Sequence, residues 1–314
     1  MTPPFAAGSV SFRSYPHEGL EATAVLDELR VQASLAVAHG FDGVMTSEHH
    51  GGFPGYVPNP LQLAGFLLEA MPAGWAAPCP LVLMLRPAVL VAEETAWLAA
   101  RFPGRVGLGV AAGALPVDFA LMGTTMDDLT ARFGRALETV TKALRGDADG
   151  PLAADAAVAQ CASRPVPVLS AAASLTAARR AAHAGAGLLF DSLVTPVRVR
   201  DLVDVYRSEG GQGPCVLIRR AWVGAPPQAQ VDRQTDVYRS YAPGRSTSNW
   251  GSNEMAAGNS AEEVAEKLMH ALGTAGVDAL NVRVHVPGVT VAAARDQIAA
   301  IGDEVVPLVK NGLR

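Results

Sequence analysis

"VPVLSAAASLTAARRAAHAGAGLLFDSLVTPVRVRDLVDVYRSEGG", residues 166–211, carries one pattern twice. A short apolar run, "VPVLS" (166–170), gives way to "SLTAARRAAHAG", of helical period; a second, "GLLFDS" (187–192), leads to "PVRVRDLVDVYRSEGG". Strands apolar on both faces, each followed by an amphipathic helix, point to a parallel sheet covered by helices. The alternation extends in both directions. Upstream, "SVSFR" (9–13) precedes "LDELRVQASLAVAHG", and "DGVMTSE" (42–48) precedes "NPLQLAGFLLEAM". "PLVLML" (80–85) precedes "AVLVAEETAWLAARF", and "RVGLGVA" (105–111) precedes a loop and "DLTARFGRALETVTKALRG". Downstream, "CVLIRRAWVG" (215–224) and "ALNVRVH" (279–285) each precede a further helical segment. Gly40 suits a helix C-cap, Asn59 an N-cap and Pro60 a first helical turn.

Eight strand–helix units in a chain of 314 residues predict an α/β fold, a (β/α)8 TIM barrel, with a doubly wound open sheet as the alternative. No linker or composition shift divides the chain, so residues 1–314 read as one domain. Insertions are expected after strands 4 and 7, and residues 145–165 read as a surface excursion. The insert at 225–259 is polar, aromatic and rich in Pro, Gly and Ser; after a barrel strand it would lie over the catalytic face as a lid.

Bulk composition narrows the function. The chain is 49% hydrophobic and 18% charged, with a formal net charge of −5 and no basic block. That argues against nucleic acid or an anionic membrane as partner. Cys79, Cys161 and Cys215 are isolated, which fits a reducing cytoplasm better than a disulfide framework. The N-terminal "MTPPFAAGSVSF" does not read as a signal peptide, and the most apolar run is broken by Arg86 and Pro87.

Chemistry concentrates in "MTSEHHGGFPGY" (45–56). Glu48, His49 and His50 are open to three readings: metal ligands, an acid/base pair, or ordinary polar residues at a strand end. Consecutive strand residues face opposite sides, and no HxH or HExxH spacing occurs, so no metal is expected. "GLGVAAG" (107–113) matches GxGxxG/A with Asp127 about twenty residues on, but the immediate strand-to-helix turn of a dinucleotide site is missing. Its glycines read better as room for a flat ligand along a barrel strand. No GxSxG elbow or nucleophilic cysteine context is present. In "NVRVH", Asn281, Arg283 and His285 alternate with valines, which puts three polar residues inside the barrel, His285 nearest the mouth.

Several segments, in order, resemble the bacterial-luciferase-like family of flavin-dependent monooxygenases and oxidoreductases. "HGFDGVMTSEHHGGFPGYVPNPLQLAGFLLEA" is similar to that family's G-F-D-x-V-W-x-x-E-H-H segment and following N-P. "RPAVLVAEETAWLAARFPGRVGLGVAAGALPVDFALMGTTMDD" is similar to its H-P-V-R-x-A-E…S-x-G-R…G-x-G-x-G…D/E-F…G segment. "LSAAASLTAARRAAHAGAG" resembles the turn that holds the cofactor phosphate, and "NSAEEVAEKLMHALGTAGVDALNVRV" and "IGDEVVPLVK" resemble the closing helix–strand–helix. The resemblance covers nearly the whole chain.

The resemblance implies a flavin at the C-terminal face of the barrel. Reduced FMN would be supplied by a separate flavin reductase, and one atom of O2 would be transferred to a small organic substrate. A related branch uses the deazaflavin coenzyme F420 for hydride transfer, and some luciferase subunits are non-catalytic. His49 matches the family's acid/base residue. Ser174 and Thr176 fall in the phosphate turn, and Gly109, Ala111 and Gly113 would lie along the flavin. A cis peptide, if retained, falls at Cys79–Pro80, where a trans bond at a strand start is the other reading. The family's strand-four cysteine and phosphate-binding arginine are replaced by Ala111 and Ala112. Arg219, Arg220 and Arg283 are candidate substitutes, with His50 and His285 as further substrate or phosphate contacts. The family's habit of dimerising implies a homodimer.

Overall fold

The computed structural model describes residues 1–53, 55–241 and 255–313. The chain begins β1 (Val10–Arg13), α1 (Ala22–Ala38), β2 (Gly43–Thr46), α2 (Pro60–Ala70), β3 (Trp75–Pro78), β4 (Leu81–Val82) and α3 (Ala88–Arg101). It continues through β5 (Leu108–Ala111), α4 (Pro116–Leu121), α5 (Leu129–Leu144), α6 (Ala156–Gln160), β6 (Val168–Ala171) and α7 (Leu175–Ala184). Then come β7 (Gly187–Phe190), α8 (Pro196–Ser208), β8 (Cys215–Val223) and α9 (Gln228–Tyr241). It closes with β9 (Met255–Gly258), α10 (Ala261–Ala275), β10 (Ala279–Arg283), α11 (Val291–Ala300) and α12 (Val306–Gly312).

Every strand pairing is parallel, in the order β3-β2-β1-β10-β8-β7-β6-β5-β4. β3 and β4 are the two halves of one bent strand, divided by a cis Cys79–Pro80 bond, so the circuit closes as the eight-stranded barrel expected from the alternation. β9 is an extra strand on the edge of β8. The third strand starts earlier than "PLVLML" suggests. Trp75–Pro78 pairs with β2, Leu81–Val82 pairs with β5, and Leu83–Leu85 coils into a 3-10 turn. The alanines of "WAAPC" fit a helix as well as a strand, which hides this half from a pattern reading.

The helix signals act as expected: Asn59 Oδ1 accepts from the Gln62 N–H at 3.0 Å, with Pro60 in the first turn, and Gly40 follows α1 with φ +95°. Residues 145–165 are not a mere surface excursion. Asp155 caps α6, and Ala157, Val158 and Cys161 are buried in the main core beside α3, an apolar face the polar flanks conceal.

Two layers of apolar residues result from strand alternation. Val10, Phe12, Val44, Leu280 and Val282 point outward into the helix layer. Met45, Trp75, Leu169, Leu189, Val216 and Ala279 fill the barrel, where Phe5 from the N-terminal segment meets Trp75 edge to face at 5.2 Å. Gly43 makes room for this plug, since a Cβ there would fall 2.1 Å from the indole. The upper interior is polar. Arg13 Nε donates to Asn281 Oδ1 at 2.6 Å, and Asn281 Nδ2 donates to Ser11 Oγ at 2.9 Å. The barrel is thus shut at one end and opens over a hydrogen-bonded polar layer at the other. No helix among the described residues is long and apolar enough to cross a membrane. Of the 225–259 insert, residues 242–254 lie outside the described residues; α9 packs over the mouth through Val231, which joins Trp222, Val286 and Val289.

Candidate active site

β2 delivers three polar residues at its C-terminal end and sends them different ways. Glu48 Oε2 accepts from the Val82 N–H at 2.7 Å, while Oε1 meets His50 Nε2 at 2.7 Å and the Arg86 guanidinium. Burial pushes its carboxyl up, and Arg86, the Val82 amide and His50 pull it back. Glu48 is therefore a strut between β2 and the turn after β4. His50 is spent on that strut and does not reach the cavity, because its ring turns toward Glu48.

His49 faces the opening. Its Nδ1 lies 2.9 Å from Asp118 Oδ2, and the other carboxylate oxygen accepts from the His50 N–H at 3.1 Å. A carboxylate only accepts, so Nδ1 carries the proton and Nε2 keeps its lone pair. Phe53 and Tyr56 hold the ring at centroid distances of 4.7 and 4.5 Å. Burial pushes the imidazole below its ordinary value despite the hydrogen bond and charge of Asp118. Asp118, almost fully buried, comes from α4 in the insertion after the fourth barrel strand. Sequence reasoning did not assign it a role, although it sits in the D-F pair of a quoted family segment.

Below His49 the wall is aromatic and cationic. The Arg283 guanidinium lies 4.2 Å from the centre of the Tyr15 ring, and its Nη1 donates to Tyr238 Oη at 3.1 Å. Tyr238 and Tyr56 share a hydroxyl–hydroxyl contact of 3.1 Å. Burial pushes the Tyr15 phenol up, but Arg283 and Arg13 outweigh it and bring it down to about 8. His285 stacks on Tyr15 and meets His17 edge-on at 4.7 Å. Both its ring nitrogens lack a partner among the described residues, and burial holds it well below its ordinary value.

These groups open on a cavity of about 430 Å³, within the roughly 300–1,000 Å³ usual for a cofactor or small-molecule site. His49, Pro80, Ala111, Gly113 and Arg283 line it, as do Ala112 and Ala171–Ala173. Cys79 and Gly109 face each other instead, since a Cβ on Gly109 would fall 2.1 Å from the Cys79 Sγ. Gly107 likewise makes room for Phe5, and Gly113 for Phe119 and Val82. The glycines of "GLGVAAG" thus accommodate neighbouring protein, and the methyls of Ala111 and Ala112 make the low wall a flat ring needs.

Ser174 and Thr176 are exposed and outside the lining; the Ser174 hydroxyl caps α7 by accepting from the Ala177 N–H at 3.2 Å. Arg219 points away from the barrel interior to the carbonyls of Asp191 and Val194, and His285 lies behind Tyr15. The cation that does reach the cavity wall on this side is Arg198, in the first turn of α8. It pairs with Asp201 at 3.3 Å, its Nε is unpartnered among the described residues, and it shares the cavity lining with Ala112. Nothing in the sequence separates it from the other surface arginines of that helix. No group of three or more His, Cys, Asp or Glu among the described residues could hold a metal ion.

The fold has counterparts among solved structures. The fold matches the monooxygenase RslO1 from Streptomyces bottropensis with a TM-score of 0.77 at 18% identity, over 95% of this chain and 99% of that one. It matches the oxygenating constituent of 3,6-diketocamphane monooxygenase from Pseudomonas putida, solved in complex with FMN, with 0.77 at 18% identity over 97% and 98%. An F420-dependent secondary alcohol dehydrogenase, in complex with an F420-acetone adduct, gives 0.72 at 16% identity over 98% and 99%. No curated protein matches the chain by sequence. Residues 9–301 match the model of the luciferase-like monooxygenases, and the chain belongs to that family.

Proposed function

We propose that this chain is a two-component monooxygenase that takes reduced FMN and O2 and oxygenates a small organic substrate. The observation that carries the reading is His49, oriented by a buried carboxylate, with a free Nε2 on a cavity whose facing wall is alanine. When bound, reduced FMN supplies the two electrons that let one oxygen atom enter the substrate while the other leaves as water.

The residues present fit such a group. Ala111, Ala112 and Ala172 leave a low wall for the ring system. The N-terminus of α7 presents the Leu175 and Thr176 amides without intrahelical acceptors, and a helix N-terminus favours an anion. With Arg198 on the wall of the same cavity as Ala171–Ala173, which lead into this helix, this end would hold the phosphate in place of the missing strand-four arginine. His49 would take or return a proton at Nε2 near neutral pH, Asp118 holding its tautomer. Tyr238 on α9 would keep water from that face. A separate reductase would deliver the flavin, and the chain would assemble as a homodimer.

The test is a titration of the purified protein with FMN and with F420, each oxidised and reduced. It is followed by mass analysis of products formed from a substrate panel under isotopically labelled O2. Tight binding of reduced FMN and labelled product support the reading. Preference for F420 and unlabelled product overturn it in favour of hydride transfer; flavin binding without turnover on any substrate overturns it in favour of a non-catalytic subunit.

A further inference from the structure

Strand register puts three arginines side by side on the barrel's inner face. Arg220 of β8 is the direct partner of Arg283 of β10, and Arg13 of β1 stands one step beyond the Phe12–Val282 pair, beside Arg283 on its other flank. All three are buried, with 1–4% of their surface exposed. Like charges in adjacent register repel, and a buried charge is costly unless an opposite charge compensates it. No carboxylate among the described residues pairs with any of them. Arg13 is held by Asn281, Ser47 and the Met45 sulfur, Arg220 by Gln234 Oε1 at 2.6 Å, and Arg283 by the His285 carbonyl at 2.8 Å and Tyr238. Arg220 Nε has no partner among the described residues. The carboxylate on the cavity wall nearest in influence is Asp191, whose Oδ1 is taken by the Leu193 and Val194 amides.

We propose that this arginine row binds the anionic end of the substrate, so that the substrate is an organic acid held by its carboxylate or an equivalent oxyanion. Arg283 and Arg13 line the cavity directly, with Arg220 beside Arg283 on the neighbouring strand adding positive potential. The row joins His49 through Tyr238 and Tyr56, whose hydroxyls touch and whose second ring packs on the imidazole. An acid anchored there extends its hydrocarbon part toward His49. The anion site stands on geometry alone; naming its occupant the substrate rests on the flavin reading.

Calorimetric titration of the flavin-free protein with octanoate and benzoate, against octanamide and benzamide, tests it. The acids should bind more tightly than their amides. Arg283→Gln should weaken acid binding at least about tenfold, equivalent to ~1.4 kcal/mol, leave amide binding unchanged, and Arg283→Lys should restore part of the loss. Thermal melting of the wild type, raised by the acids and not by the amides, gives the same answer should the variants fail to fold. Acids and amides binding alike, or neither acid binding, overturns the proposal. So does an Arg283→Gln variant that loses FMN while keeping riboflavin and octanoate, which would make the row a phosphate clamp. Failure to bind FMN in the wild type refutes the flavin reading and leaves the acid titration intact.

Discussion

Asp118→Asn isolates the carboxylate that orients His49 while keeping its shape. In the native site the two oxygens serve two donors, the His49 Nδ1–H at 2.9 Å and the His50 N–H at 3.1 Å. An amide offers one oxygen and one NH2. With its NH2 toward the His50 amide, two buried donors collide, at a cost of about 1–3 kcal/mol. With its NH2 toward His49, the imidazole can move its own proton to Nε2 and accept at Nδ1. The second arrangement wins because an imidazole has two neutral tautomers and a backbone amide has one form. The variant therefore presents N–H to the cavity where the native protein presents a lone pair. Replacing a charge-assisted bond by a neutral one removes about 1–1.5 kcal/mol, close to one pH unit of imidazole titration at about 1.4 kcal/mol per unit. His49 already titrates below its ordinary value through burial, so its midpoint moves further down. Nitrogen NMR of the imidazole across a pH series reads both tautomer and midpoint without any substrate. With a substrate in hand, turnover should fall by about a hundredfold. An unchanged tautomer, or a midpoint that rises, refutes the role assigned to Asp118.

Three further outcomes follow from the same geometry. Burial depresses His17, His49 and His285, so the unfolded chain binds protons that the folded one refuses. Stability should therefore fall as pH drops below about 6.5. His285→Phe, which keeps the stack on Tyr15 and removes two unpartnered nitrogens, should flatten a urea-midpoint profile there by up to about 1.4 kcal/mol per pH unit; an unchanged slope counts against a neutral buried His285. Gly109→Ala forces its Cβ onto Cys79 and should cost about 1–3 kcal/mol in denaturant unfolding. Cys79→Ala should recover part of that; a stable single variant would mean Gly109 faces open space. Arg198→Ala should weaken FMN by about 10–100-fold and leave riboflavin unchanged, consistent with a charged hydrogen bond of about 1.5–3 kcal/mol. Equal loss for both, read by fluorescence titration, would place the phosphate elsewhere.

The barrel was legible because most of its strands and helices announce themselves within a dozen residues by their own period, Trp75–Pro78 and the short helix at Ala156–Gln160 being the exceptions. Alternation alone put Asn281 and Arg283 inside, and it works because Val282 and Val284 must meet helices. What a local pattern lacks is the identity of the opposite wall. Gly109 reads as a gap for a ligand, and only the fold shows that Cys79, thirty residues earlier, fills the gap. Asp118 is 69 residues from the histidine it orients. Arg198 shares its helix with other arginines, and its approach to the cavity depends on where the fold sets that helix.

The arginine row lies between these cases. Val10 and Phe12 face the helices, so Ser11 and Arg13 face inward by the rule that placed Arg283. Ile218 faces the barrel interior, so Arg220 does too and Arg219 does not. Each of these steps needs only strand alternation. Their conjunction needs register: β10 between β1 and β8, with Arg283 aligned between Arg13 and Arg220. A slip of one residue in any of the three strands would turn its arginine out to the helices and dissolve the row. The hydrophobic pattern prevents that slip, because the same shift would bring Val282, Phe12 or Leu217 into the polar interior. The apolar face that drives the barrel to close thus also holds three like charges together, and the unfavourable side of that arrangement is what an anionic ligand relieves.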